Sequence, residues 1–115
     1  MRDKSGDKIR LLHILDDILE TESYLHEVSF NSFVENSMMR FACIKQLEII
    51  GEARNHISND IKAKFSSVQW SQIIGMHNIF VHEYFGIDST LVWEIMKNDL
   101  KVLKEKIKAI LDSIQ

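Results

Sequence analysis

No proline occurs in the 115 residues of this chain, and there are only four glycines: Gly6, Gly51, Gly75 and Gly86. Proline removes a backbone donor and clashes with the preceding helical turn, so its absence permits long uninterrupted helices. The apolar residues agree. Over residues 7–25, Leu11, Leu15, Ile18 and Leu25 recur at helical spacing, with Leu12 and Ile14 widening the stripe. Residues 28–31 read as a break, with Asn31 or Ser32 a candidate N-cap and Glu35 placed for a capping box. A second helix is expected to run through Val34, Met38, Phe41, Ile44 and Leu47 to about Ile57. Ser58, Asn59 and Asp60 break it, and residues 61–65 form a short helix. A further helix is expected from Ser67 or Gln69, carrying Trp70, Ile73, Ile74 and Phe80. After a turn at residues 86–89, Asp88 or Ser89 caps a last helix. There Val92, Met96, Leu103, Ile107, Ile110 and Ile114 form a near-heptad seam, interrupted at Asp99. No alternating strand pattern competes. The expected architecture is all-α, an antiparallel four-helix bundle with an additional short helix.

Length and charge narrow the function. Residues 1–115 suffice for one domain with a modest core. A formal charge of −3 provides no broad basic field, so any nucleic-acid contact must come from a local patch. Cys43 has no second cysteine to pair with, which favours a reducing compartment. The first ten residues are polar and charged, and no later apolar run approaches membrane length, so a cytoplasmic protein is expected. His13, His26 and His56 are scattered without metal-ligand spacing, and no phosphate-gripping glycine loop is present. Neither a metal nor a cofactor is expected.

The chemistry concentrates in residues 75–85. His77, Asn78, His82 and Tyr84 fall within eight positions, beside Ile79, Phe80 and Val81. A solvated loop has no use for those apolar residues, and a pure core helix has little use for the polar ones. A site at the end of a buried helix accounts for both. His77 and His82 are five residues apart, so on one helix they point roughly 140° apart at about 100° per residue. Side chains that diverge on one helix can converge across a two-fold axis, where each motif meets its copy.

Two segments together resemble a known family. They are Gln46, Leu47, Glu48, Ile49, Ile50, Gly51, Glu52 and Ala53, and then Trp70 followed by the 75–85 stretch. The pattern is similar to the HepT-like branch of the HEPN superfamily and covers essentially the whole chain. The resemblance implies a helical bundle that dimerises and a metal-independent RNA endonuclease whose composite site lies at the dimer interface. It further implies the toxin of a toxin–antitoxin pair. The partner implied is a minimal nucleotidyltransferase antitoxin, which attaches AMP to a motif tyrosine. The family signature is arginine, a polar residue, three variable positions, then His-X-Tyr. Asn78 matches the polar position, His82 the histidine and Tyr84 the modified tyrosine; His77 stands where the arginine is expected.

That departure bears on catalysis. An imidazole can accept and donate protons near neutral pH. An arginine supplies a permanent cation and a two-donor grip on phosphate; His77 can replace it only when protonated. Two readings therefore stand: an RNA-cleaving toxin using His82 with Asn78 and His77, or a non-catalytic dimeric adaptor that binds a nucleotidyltransferase and accepts AMP on Tyr84. Glu48 and Glu52 are candidates to line the cleft, although an acidic pair at this spacing is usually a solvated face. Arg40, Lys45 and Arg54 are candidate phosphate contacts but read better as surface charges. Trp70 and Trp93 read as core or interface anchors.

Overall fold

The computed structural model describes residues 4–66, 68 and 89–114, and every regular element among them is helical. Helix α1 (Lys4–Tyr24) follows the first apolar stripe. It ends in a turn where Glu27 takes a left-handed φ of 58°. Two helices follow close together, α2 (Phe30–Glu35) and α3 (Ser37–Arg54). The short α4 (Asn59–Lys64) comes next; it begins two residues earlier than the expected 61–65 because Ser58 caps it. The last rod is α5 (Ser89–Glu94), a single π turn (Ile95–Asp99) and α6 (Leu100–Ser113). The helix expected from Ser67 or Gln69, and the cap expected at Asp88, lie outside the described residues. No helix among those described is long and apolar enough to cross a membrane.

The single helix expected from Val34 to Ile57 is two helices. Asn36 sits in extended backbone (φ −105°, ψ 92°), its N–H donates to the Phe33 carbonyl, and its Oδ1 accepts from the Met39 N–H at 3.0 Å. One side chain thus starts α3 at the residue where α2 stops, which is how asparagine competes with helical continuity. The cap of α2 is Ser29 rather than Asn31 or Ser32; its Oγ accepts from the Ser32 N–H at 3.1 Å. Glu35 is the last residue of α2 and makes no capping box.

The core also differs from the expected stripe. Leu11, Ile14, Ile18 and Leu25 are buried, whereas Leu12 is 40% exposed. On α2 and α3, Val34, Met38 and Phe41 face outward, Met38 at 82% exposure. The buried set is Phe33, Cys43, Ile44, Leu47, Ile50 and Gly51. At roughly 100° per residue, Met38 and Phe41 share a face with Lys45, Ile49 and Glu52, opposite Leu47. Two apolar stripes compete on this segment, and the one beginning at Cys43 meets α1.

In the last rod, Val92, Met96, Leu103, Ile107 and Ile110 are buried as expected, with Ile114 packed at the margin. Leu100 joins them. Val92, Met96 and Leu100 stand four apart twice in succession, one residue more than a three–four alternation. The wider π turn takes up that extra residue and leaves Asp99 exposed. Trp93 is the anchor expected of it, packed on Phe30 and Phe33 at ring-centroid distances of 5.6 and 5.2 Å.

Polar contacts set the register. The buried Asp7 carboxylate accepts from the Ser58 N–H at 2.8 Å and from the Ser58 hydroxyl at 2.6 Å. The same hydroxyl oxygen caps α4 by accepting from the Ile61 N–H at 3.3 Å. Toward the other end of α1, Gln46 Nε2 donates to the Tyr24 hydroxyl at 3.3 Å, so α1 and α3 run antiparallel. Lys104 closes on Glu22 at 2.8 Å and ties α6 to α1. Replacing Asp7 with alanine strands two buried donors; a hydrogen bond to a charged group contributes about 1.5–3 kcal/mol. Urea unfolding should show Asp7→Ala and Ser58→Ala each destabilised by about that much, and the double variant by clearly less than the sum. Full additivity would show that the two side chains do not act as one unit.

Candidate functional site

The antiparallel pairing of α1 and α3 opens a groove of about 490 Å³ between them. α1 contributes His13 and Asp17, one turn apart. α3 contributes Lys45, Glu48, Ile49, Glu52 and Ala53, and His56 follows its end. These positions recur every three or four residues, so one helical face carries them all. Lys45 lies 3.7 Å from Glu48, and His56 Nε2 lies 3.7 Å from Glu52. Burial pushes the Asp17 carboxyl above its ordinary value; His13 beside it opposes the rise, and Asp16 adds to it. The groove thus gathers three carboxylates and two imidazoles, with Lys45 as its lysine. Its acidic groups make it a poor trap for a phosphate chain by itself. Among the described residues no group of three or more His, Cys, Asp or Glu side chains is placed to hold a metal ion. Cys43, on the opposite face of α3, is buried with its thiol pushed up to about 12, a packing residue rather than a nucleophile.

The motif residues His77, Asn78, His82 and Tyr84, and Trp70 before them, lie outside the described residues. Among the secondary candidates, Glu48 and Glu52 do line one groove. Arg40 and Arg54 make local contacts: Arg40 Nη1 donates to the Val34 carbonyl across the α2–α3 break, and Arg54 Nη1 to Asn55 Oδ1 at 3.3 Å. His13 and His56, which appear scattered along the sequence, share the groove. Their meeting depends on how α1 pairs with α3. A signal for it existed in principle: pairing Asp7 with Ser58 in an antiparallel hairpin carries residue 13 toward residues 52–56.

The comparisons with known proteins agree on the family. The model for "Ribonuclease HepT-like" matches residues 14–110. The chain is 39% identical over 107 residues to "Putative RNase MJ1380" of Methanocaldococcus jannaschii, covering 93% of this chain and 98% of that protein. It is 35% identical over 100 residues to "Probable ribonuclease HepT" of Thermococcus cleftensis, covering 84% of this chain and 91% of the relative. A third relative, "Putative RNase TTE0752" of Caldanaerobacter subterraneus, is 35% identical over 101 residues. No solved structure matches the chain. The all-helical fold and these matches define a HEPN-superfamily protein. The chain belongs to its HepT-like ribonuclease family.

Asp17 gives the groove a measurable pH signature. A carboxyl whose folded-state value is raised contributes stability that is complete below the unfolded value near 3.8 and is lost as pH rises through the raised value. Asp17→Asn should therefore be more stable than the parent at pH 7, with the gain disappearing below about pH 3.8. The Thr21 hydroxyl donates to the Asp17 backbone carbonyl at 2.8 Å, a bond the substitution keeps. Equal stability of both proteins across that range, followed by thermal unfolding, would contradict the assignment.

Proposed function

We propose that this protein is a metal-independent RNA endonuclease that works as a homodimer, with His82, Asn78 and His77 of both chains lining one cleft. It is the toxin of a toxin–antitoxin pair, silenced when a nucleotidyltransferase antitoxin transfers AMP to Tyr84. The observation that carries the reading is the motif itself: Asn78, His82 and Tyr84 keep the family spacing in a chain belonging to the HepT-like ribonucleases. His82 takes the proton from a ribose 2′-hydroxyl. The 2′-oxygen then attacks the adjacent phosphorus, and the 5′-oxygen leaves with a proton from an imidazolium. His77, when protonated, supplies positive charge to the phosphorane. AMP on Tyr84 adds a bulky group and a phosphodiester charge two residues from His82, which closes the cleft to RNA. The exposed Met38 and Phe41 support pairing of chains, since on α3 they share a helix face with Lys45, Ile49 and Glu52 of the α1–α3 groove.

One observation favours a second reading: His77 occupies the arginine's place, so catalysis can have lapsed in a dimeric adaptor that still receives AMP. Cleavage of a mixed RNA substrate in EDTA separates the two. The nuclease reading expects cleavage by the unmodified protein, a loss of about 100-fold or more in His82→Ala, and equal or faster cleavage in His77→Arg. Absence of cleavage in all three, with AMP still accepted on Tyr84, would establish the adaptor.

A further inference from the structure

A second concavity lies where α1 ends against the π turn. Its volume is about 280 Å³, its floor is Leu25 and Met96, and Lys97 and Lys101 stand on its rim, both exposed. Two unusual backbone features meet there. The π turn (Ile95–Asp99) carries Lys97, and Glu27, on the facing rim, takes φ 58° without being glycine. Both features are sparsely populated and gather at working sites. The lysines are also pre-arranged. The Lys97 ammonium lies 4.8 Å from the centre of the Trp93 ring, which holds its stem in place. Lys101 follows four residues later, one turn along the rod.

Of the two carboxylates that line the concavity, one is paired and the other stands largely in solvent. Glu22 is taken by Lys104, whose Nζ reaches its two oxygens at 3.0 and 2.8 Å. Glu27 is 85% exposed and lies 3.9 Å from His26 Nε2. Two exposed lysines, four residues apart, thus stand on one rim of a concavity in a chain whose formal charge is −3. Such a local patch is what an acidic protein needs to hold a polyanion.

We propose that this concavity grips the phosphate backbone of the RNA substrate, Lys97 and Lys101 each contacting a phosphate. The inference rests on the ribonuclease reading and adds a binding site to it. Lysine meets phosphate as a point charge, so the site fixes the strand's position without reading its bases. Lys97 and Lys101 are positioning residues and take no part in bond cleavage.

The test measures binding of a fluorescent single-stranded RNA to the full-length His82→Ala protein over a range of salt concentrations. The same background carrying Lys97→Gln and Lys101→Gln is compared. Each phosphate contact contributes about 0.7 to the slope of log affinity against log salt, so the double substitution should lower that slope by about 1.4. At 0.1 M salt the same relation gives about fivefold weaker binding per contact, or about 25-fold for two. A charge-matched control, Lys62→Gln with Lys64→Gln on α4 at the other end of α1, should leave the slope unchanged. An unchanged slope in the Lys97→Gln/Lys101→Gln pair, or an equal loss in the control, overturns the site while the ribonuclease reading stands. Loss of nucleotidyltransferase binding with RNA affinity intact would reassign the concavity to a protein and overturn it equally. Failure of the parent background to bind RNA at all would remove the ribonuclease reading, and this inference with it.

Discussion

The Asp7 carboxylate, buried against Ser58, fixes the register on which the described fold depends. A charged group at 2% exposure is costly unless its hydrogen bonds are satisfied. Here its two bonds go to the residue that caps α4, so a slip of α1 against α3 by one turn would strand both partners. With that end fixed and Tyr24 meeting Gln46 near the other, α1 has one alignment on α3. His13 and Asp17 then face Glu48, Glu52 and His56, and Glu22 meets Lys104 on the last rod. Hydrophobic packing of Leu11, Ile14 and Ile18 against Leu47 and Ile50 supplies most of the driving force, but apolar contacts alone specify register loosely.

Two concave surfaces follow from this arrangement, and their charges differ. The α1–α3 groove carries Asp17, Glu48 and Glu52 beside His13 and His56, a surface dominated by carboxylates. The concavity at the end of α1 presents Lys97 on the π turn and Lys101 on the first turn of α6, a surface suited to holding an anion. An acidic protein that handles RNA must keep such surfaces apart, because carboxylates near a phosphate strand weaken binding. Lys104 contributes to both ends of that division: it neutralises Glu22 and thereby leaves the two outer lysines unopposed by it.

Much of this was legible from residue order, for reasons that differ by element. The first stripe read correctly at Leu11, Ile14, Ile18 and Leu25, which form one face with no competing cap within it, while Leu15 lies at its margin and Leu12 is exposed. The break between α2 and α3 did not, because Asn36 acts through its side chain in a run that is otherwise helical by pattern. Met38 and Phe41 misled for a related reason: hydrophobicity marks an apolar face, whereas the partner helix decides which of two such faces is buried. The seam of the last rod was visible on both sides of Asp99, where the extra residue that produced an interruption in sequence becomes a π turn in structure. Tertiary pairing was the information missing for His13 and His56, since neither lies near the other along the chain. The motif carrying the proposed chemistry, with His77, Asn78, His82 and Tyr84, was read through its resemblance to the family pattern and lies outside the described residues.

The central claim is that attack by the ribose's own 2′-hydroxyl cleaves RNA without a metal. The chemistry of the fragment ends tests this most directly. Products formed in EDTA by the unmodified protein should carry a 2′,3′-cyclic phosphate (or the 2′- or 3′-phosphate from its opening) on one side and a 5′-hydroxyl on the other. Fragments ending in 3′-hydroxyl and 5′-phosphate would mean that water or another nucleophile makes the attack, and would contradict the mechanism assigned to His82.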